Sequence, residues 1–376
     1  MNLNKYYSIL LILIVLFSCS DNNDNDGNSS DSYNRQSLLS NIANNIILPA
    51  HTSFDSALGN FSSNVSVFDQ DRSITNLINV QESFIDAYRI WQHIEMFNIG
   101  IAEEIYFMQK MNIYPANITR IQNNLNSDNF DLDNNPNEYA SQGFPAVDYL
   151  LFGIAETNQL ILDFYIENQE NNIYMNYLTL LVDKMVSNSD TVLEYWEDNK
   201  EDFINSTGNT SSSSLNMLTN DFVYYYEKGL RANKIGIPAG VWSDILPQNV
   251  EAYYKSNISK ELAIEALNAS KNFFLGKHFG SQTDGEGLYD YLGYLDDNNY
   301  SESLMFVGLN DDIISSFDNS MQKLMLLDDN FALQIQTDNI KMLEAYDAIQ
   351  QGVVRLKTNM LSILGISVDY FDADGD

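Results

Sequence analysis

A single cysteine, Cys19, occurs in 376 residues, so no intramolecular disulfide can staple this chain. Histidine is almost as scarce. His51, His93 and His278 are the whole supply, no two are spaced to share one helix face, and the H-E-x-x-H pattern of zinc peptidases is missing. No Gly-x-Ser-x-Gly elbow is present to expose a nucleophilic serine. Positive charge is also short: 19 Lys and Arg stand against 52 Asp and Glu, for a formal net charge of -33. A surface this acidic repels nucleic acid and anionic membrane, which excludes nucleic acid as a partner. It is compatible with cation capture, although solubility alone also accounts for it. One long hydrophobic run occurs, at residues 9–17, and it is too short to span a bilayer as a mature helix.

That run follows Lys5 and leads into Ser18-Cys19, the arrangement of a signal peptide with a lipoprotein processing site. Cleavage before Cys19 leaves an acylated cysteine as the membrane anchor. Removal of residues 1–18, whose only charged side chain is Lys5, changes the net charge to -34. Residues 19–34 are rich in Asp, Asn, Ser and Gly, the composition of a tether that cannot pack a core. Together these features predict a lipid-anchored cell-envelope protein at the outer membrane, facing either the periplasm or the outside.

The remainder is 44% hydrophobic and 12% aromatic by whole-chain composition, which suffices for a folded ectodomain. Apolar residues recur at three- and four-residue steps with few alternating runs, so the expected fold class is all-α. Leu178, Val182, Met185, Val192 and Trp196 form one such stripe, and Ile335, Met342, Tyr346, Ile349, Val353, Leu356 and Met360 form another over what reads as one long C-terminal helix. Residues 206–214, Gly- and Ser-rich, separate two helical blocks of similar size. They divide the chain into an N-terminal bundle, 35–205, and a C-terminal bundle, 215–376.

The stretch Gly143-Phe144-Pro145-Ala146-Val147-Asp148-Tyr149-Leu150-Leu151-Phe152-Gly153 reads as a helix opening. Proline suits the first helical position, which puts Asp148 in the first turn at the positive end of the helix dipole. Gly143 allows a tight entry and Gly153 ends or kinks the helix. This stretch resembles the signature of the imelysin-like family: bacterial envelope proteins with founding members described as insulin-cleaving peptidases and relatives that serve iron uptake. The usual family pattern is G-x-H-x-x-E, then Y-L-L and a closing glycine. Pro145 and Asp148 stand at the histidine and glutamate positions, similar to a Bacteroidetes-type variant. Three further segments carry the resemblance in order: Trp91, Phe97 and Gly100 as W-x(5)-F-x-x-G; residues 230–238 as L-R-x-x-K-I-G-x-P; and a tail from Leu356 through Leu364-Gly365-Ile366 to the acidic terminus. The resemblance covers most of residues 40–376 and implies two packed helical bundles with the signature at the groove between them.

Charged residues then become candidates for ligand binding alongside Gly143, Pro145 and Asp148. Tyr224, Glu227, Arg231 and Lys234 lie at steps of three, four and three, hence on one helix face. If exposed, the Glu227–Arg231 pair contributes at most about 0.5 kcal/mol; beside a groove it becomes functional. Glu95 shares the face of Tyr88 and Trp91 on a helix read as running to Gly100, and a carboxylate there needs a partner. The alternatives are a structural Lys or Arg and a bound divalent or ferric cation next to Asp148.

With proline in the histidine position a catalytic metal site lacks an expected ligand, and no other catalytic constellation replaces it. The favoured reading is a non-enzymatic lipoprotein that binds a small ligand, metal or metal complex, in company with envelope iron-uptake proteins as the resemblance implies. A metallopeptidase of the imelysin type and a purely structural envelope protein are the alternatives.

Overall fold

Helix after helix follows from the three- and four-residue apolar spacing. The computed structural model describes residues 31–127, 130–167, 172–300 and 306–370. The leader, Cys19, most of the tether and the acidic tail after residue 370 lie outside them. Among the described residues there is no strand, only an isolated bridge between Lys277 and Asp284. No helix among them is long and apolar enough to cross a membrane.

Two helical bundles pack together in the unit that begins at Tyr33. Leu48–Gln70 turns Phe54, Leu58, Phe61, Val65 and Phe68 inward, and Ile74–Trp91, capped by the Ser73 hydroxyl, runs back against it. Ile173–Asn205 completes this layer, with the whole stripe from Leu178 to Trp196 buried. Its partner bundle is built on Tyr225–Gly236, Ser259–Phe274, Leu309–Met325 and Phe331–Val353. The N-terminal segment reaches over to this second bundle: the Asn41 amide donates to the carbonyls of Gly276 (2.8 Å) and Glu286 (2.9 Å).

Three helices depart from the sequence expectation. The helix read as running to Gly100 ends at Trp91; beyond it Gln92, His93 and Ile94 bond to carbonyls three residues back, the tightened winding common at helix ends. The long C-terminal helix is broken at Asp338 (φ -154°, ψ 77°), where the Gln334 side-chain amide donates to the Asp338 carbonyl at 2.7 Å. The helix before Pro238 is α-helical over Ser214–Tyr224 and π-wound over Tyr225–Gly236. A π-helix bonds i to i+5 and holds more residues per turn than an α-helix, so the steps of three, four and three no longer define one face.

Candidate functional site

Three residues of the signature stretch, Gly143, Phe144 and Asp148, have contacts that explain their residue type. Gly143 has φ +67°, and a Cβ there would lie 2.2 Å from the Met111 carbonyl oxygen, so only glycine fits this crossing. Phe144 anchors the turn, stacked on Tyr88 at 4.2 Å between centroids and tilted against Phe54, Phe84 and Trp91. Asp148 is not in a first turn. The helix begins at Gly143, Pro145 is its third residue, and Asp148 is the last before the π-wound Tyr149–Gly153.

Asp148 instead holds a distant loop. Its two carboxylate oxygens accept the backbone N–H groups of Tyr254 (2.8 Å) and Lys255 (2.9 Å), stapling the 250–258 loop to the signature. That loop holds Ala252 and Ser256 at positive φ, 53° and 64°, a conformation non-glycine residues adopt at a cost. Burial pushes the Asp148 carboxyl up to about 7, against the pull of the two N–H groups and the Lys255 charge. Asp148 and Pro145 line a cavity of about 260 Å³ together with Tyr114, Pro115 and Ile118 on one side and Gln248, Tyr253 and Tyr254 on the other.

Next to this cavity lies a buried polar network. The Lys234 ammonium donates to Glu251 Oε2 at 2.6 Å and stands 3.5 Å from Glu95 Oε2. Asn112 donates to Glu95 Oε1 (2.9 Å) and to Glu251 Oε1 (2.8 Å), and Gln92 adds a third bond to Glu251 at 3.1 Å. The Tyr88 hydroxyl donates to Asn112 Oδ1 at 2.7 Å. All six side chains are buried. Burial raises the Glu95 pKa, only partly offset by Lys234, with the Glu251 charge adding to the rise. For Lys234 burial acts against the charge, yet Glu251 and Glu95 together hold its pKa above the ordinary lysine value. The ammonium is thus the site's own cation, and Glu95 is the acid driven toward its neutral form.

Glu227 and Arg231 belong to a second cluster. Both are fully buried, so the pair is not the exposed one that spacing alone allows. Glu227 accepts from Lys357 (3.0 Å) and from the Tyr370 hydroxyl (2.9 Å), with Arg231 Nη2 at 3.7 Å. The Arg231 guanidinium bonds Gln350 and lies over Trp242 and Tyr346, 5.6 and 5.5 Å from their ring centres, a favourable cation–π geometry. So the structure joins Glu95 with Lys234 and Glu227 with Arg231, while Gly143, Pro145 and Asp148 form the cavity wall.

Glu251, Asn112 and Gln92 escape a reading of the sequence because periodicity says nothing about non-helical chain or about a single amide within a helix. Glu251 offers one faint signal, a lone carboxylate in the apolar string Val250-Glu251-Ala252-Tyr253-Tyr254. No group of three His, Cys, Asp or Glu side chains among the described residues is arranged to hold a metal ion. Where two carboxylates do face each other, at Glu95 and Glu251, Lys234 fills the place a cation would take.

These features define an all-helical, two-bundle protein whose glycine-led signature turn meets a stapled loop over a buried charge network. The chain belongs to the imelysin family, peptidase M75, whose sequence profile matches residues 47–356. Among solved structures it is similar to an imelysin-like protein from Psychrobacter arcticum 273-4, at 15% identity and TM-score 0.65. It is similar too to a protein named as an iron-regulated protein A precursor from Parabacteroides distasonis ATCC 8503, at 13% identity and TM-score 0.66. Each likeness covers 90% of this chain and 97% of the other, and at such identity it speaks for the fold. No curated protein sequence matches the chain.

Proposed function

We propose that this protein is a non-enzymatic, lipid-anchored binding component of the cell envelope, linked to iron acquisition, with its ligand in the cavity between the signature and the 250–258 loop. The observation that carries this reading is the placement of Asp148. The signature's acid both staples the loop by two backbone N–H bonds and lines the cavity that the loop helps to enclose. A cavity of about 260 Å³ lies just below the roughly 300 to 1,000 Å³ usual for drug-sized ligands, so the ligand is small. With Lys234 placed between the paired carboxylates, the chain's own residues suit a small molecule or a metal already held by a chelator better than a bare ion. Anchoring rests on Cys19 after its hydrophobic run. The link to iron rests on family kinship and on the name borne by the Parabacteroides protein.

Peptidase activity is the second reading, favoured by the family's name alone. Pro145 offers no imidazole where the usual signature has one, and Asp148 spends both oxygens on the loop.

The test uses the exposed rim of the cavity. Gln248→Trp should fill the mouth without touching the core, and Asp148→Asn should loosen the loop. Both should abolish growth support under iron limitation in cells that depend on this protein, with helical circular dichroism unchanged. Full growth of cells carrying either variant would show that the cavity is not the binding site.

A further inference from the structure

A second cavity, away from the signature, has a lysine and no acid in its lining. It measures about 230 Å³ and is bounded by His93, Phe97, Phe273, Phe279, Lys277 and His278, with the Asn272 and Gln282 amides completing the polar side. Two of the chain's three histidines and one of its few lysines thus converge on one hollow, and no carboxylate lines it. In a chain of net charge -33, most described lysines and arginines sit against an acid. The Lys277 ammonium does not: it donates to the neutral Gln282 amide oxygen at 2.9 Å and forms no ion pair among the described residues. Two acids lie close by without lining the hollow. Glu265 bonds His93 Nε2 at 3.1 Å, and Asp284, opposite Lys277 in the backbone bridge, forms no ion pair with it.

The hollow is preformed. The Phe279 N–H donates to the Asn45 carbonyl at 2.8 Å, which fixes the 276–285 turn against the N-terminal segment, and the His278 N–H donates to the Thr283 carbonyl at 2.9 Å within the turn. Gly276 makes the turn possible at φ +71°, where a Cβ would meet the Glu286 carbonyl at 2.6 Å. The apolar side is aromatic, with the edge of His93 set against Phe279 at 5.3 Å and Phe97 against Phe273 at 5.6 Å. A flat apolar body suits such walls, and an anionic end suits a lysine whose hydrogen bond goes to a neutral amide.

We propose that this cavity binds a small organic carboxylate with a flat apolar body, its carboxylate at Lys277 and His278 and its body between Phe97, Phe273 and Phe279. The site is independent of the signature cavity and of the role assigned to it.

Benzoate is the probe, with benzylamine as the cation of the same shape and inorganic phosphate as the anion without the body, each titrated into the purified protein by calorimetry and saturation-transfer NMR. Benzoate should bind with Kd of about 1 mM or tighter, and neither control should. Lys277→Ala removes the cation, and Gln282→Glu leaves the lysine in place but gives it an acidic partner; both positions lie on the outer turn, so the helical core is untouched. Each should weaken benzoate at least roughly tenfold. No benzoate binding at about ten times that concentration, or affinity undiminished in either variant, overturns the proposal. Benzylamine binding as tightly would reduce the site to an aromatic slot, and phosphate binding instead of benzoate would reduce it to an oxyanion site; either result also overturns it.

Discussion

Asp148 makes the stability of this protein depend on pH in a direction opposite to that of an ordinary ion-paired acid. Its carboxyl is raised from 3.8 to about 7 by burial, so between those values the folded chain retains a proton that the unfolded chain has released. Stability from this group is therefore fully present below pH about 4 and is lost as pH rises toward 7, at up to about 1.4 kcal/mol per pH unit. Over roughly three units the change is at most about 4 kcal/mol. Other acids titrate in the same range; Asp221, for one, is also raised to about 7 by burial, with Glu103 and Asp369 adding. The measurement must therefore be a difference. Urea unfolding of wild type and Asp148→Asn at intervals from pH 4.5 to 8 gives that difference directly. Asparagine keeps one acceptor oxygen for the loop but never ionises, so the advantage of wild type over the variant should shrink steadily with rising pH. At pH 8 the variant still lacks one acceptor for the Tyr254 and Lys255 N–H groups, which costs about 1 to 3 kcal/mol. A difference that is constant across the range would refute both the raised carboxyl and the argument built on its burial.

Lys234→Met should destabilise the fold by about 3 to 5 kcal/mol, because Glu251 and Glu95 lose their shared ammonium in a buried setting; a loss below about 1 kcal/mol in denaturant titration would show that water reaches the network. Gly143→Ala should cost more than about 1 kcal/mol in the same assay, given its positive φ and the Met111 carbonyl in the way of a Cβ. Limited proteolysis should cut first near Ser211 and Ser212, which are exposed in the connection after Ile173–Asn205; a first cut within Phe331–Val353 would contradict the burial of that helix. Cys19→Ser should abolish fatty-acid labelling and detergent-phase partitioning, and labelling that persists in the variant would remove the anchor from the proposal.

Helical class was legible from spacing, because burial of one side of a helix imposes a period that needs no knowledge of what the side packs against. The stripe from Leu178 to Trp196 is buried along its whole length for that reason. Gly143 was legible as a tight crossing, since only glycine tolerates such backbone approach, and the kinship carried by the signature fits the family to which the chain belongs. What spacing could not convey was winding and partnership. The π-wound Tyr225–Gly236 sent Glu227 to Lys357 and Tyr370 and sent Lys234 to Glu251, because a change in residues per turn rotates every later side chain. Asp148 found its partners more than a hundred positions away, in a loop with no period of its own. Local pattern records which face of an element is apolar; the identity of a buried charge's partner depends on how elements meet, and that was decided only when the two bundles packed.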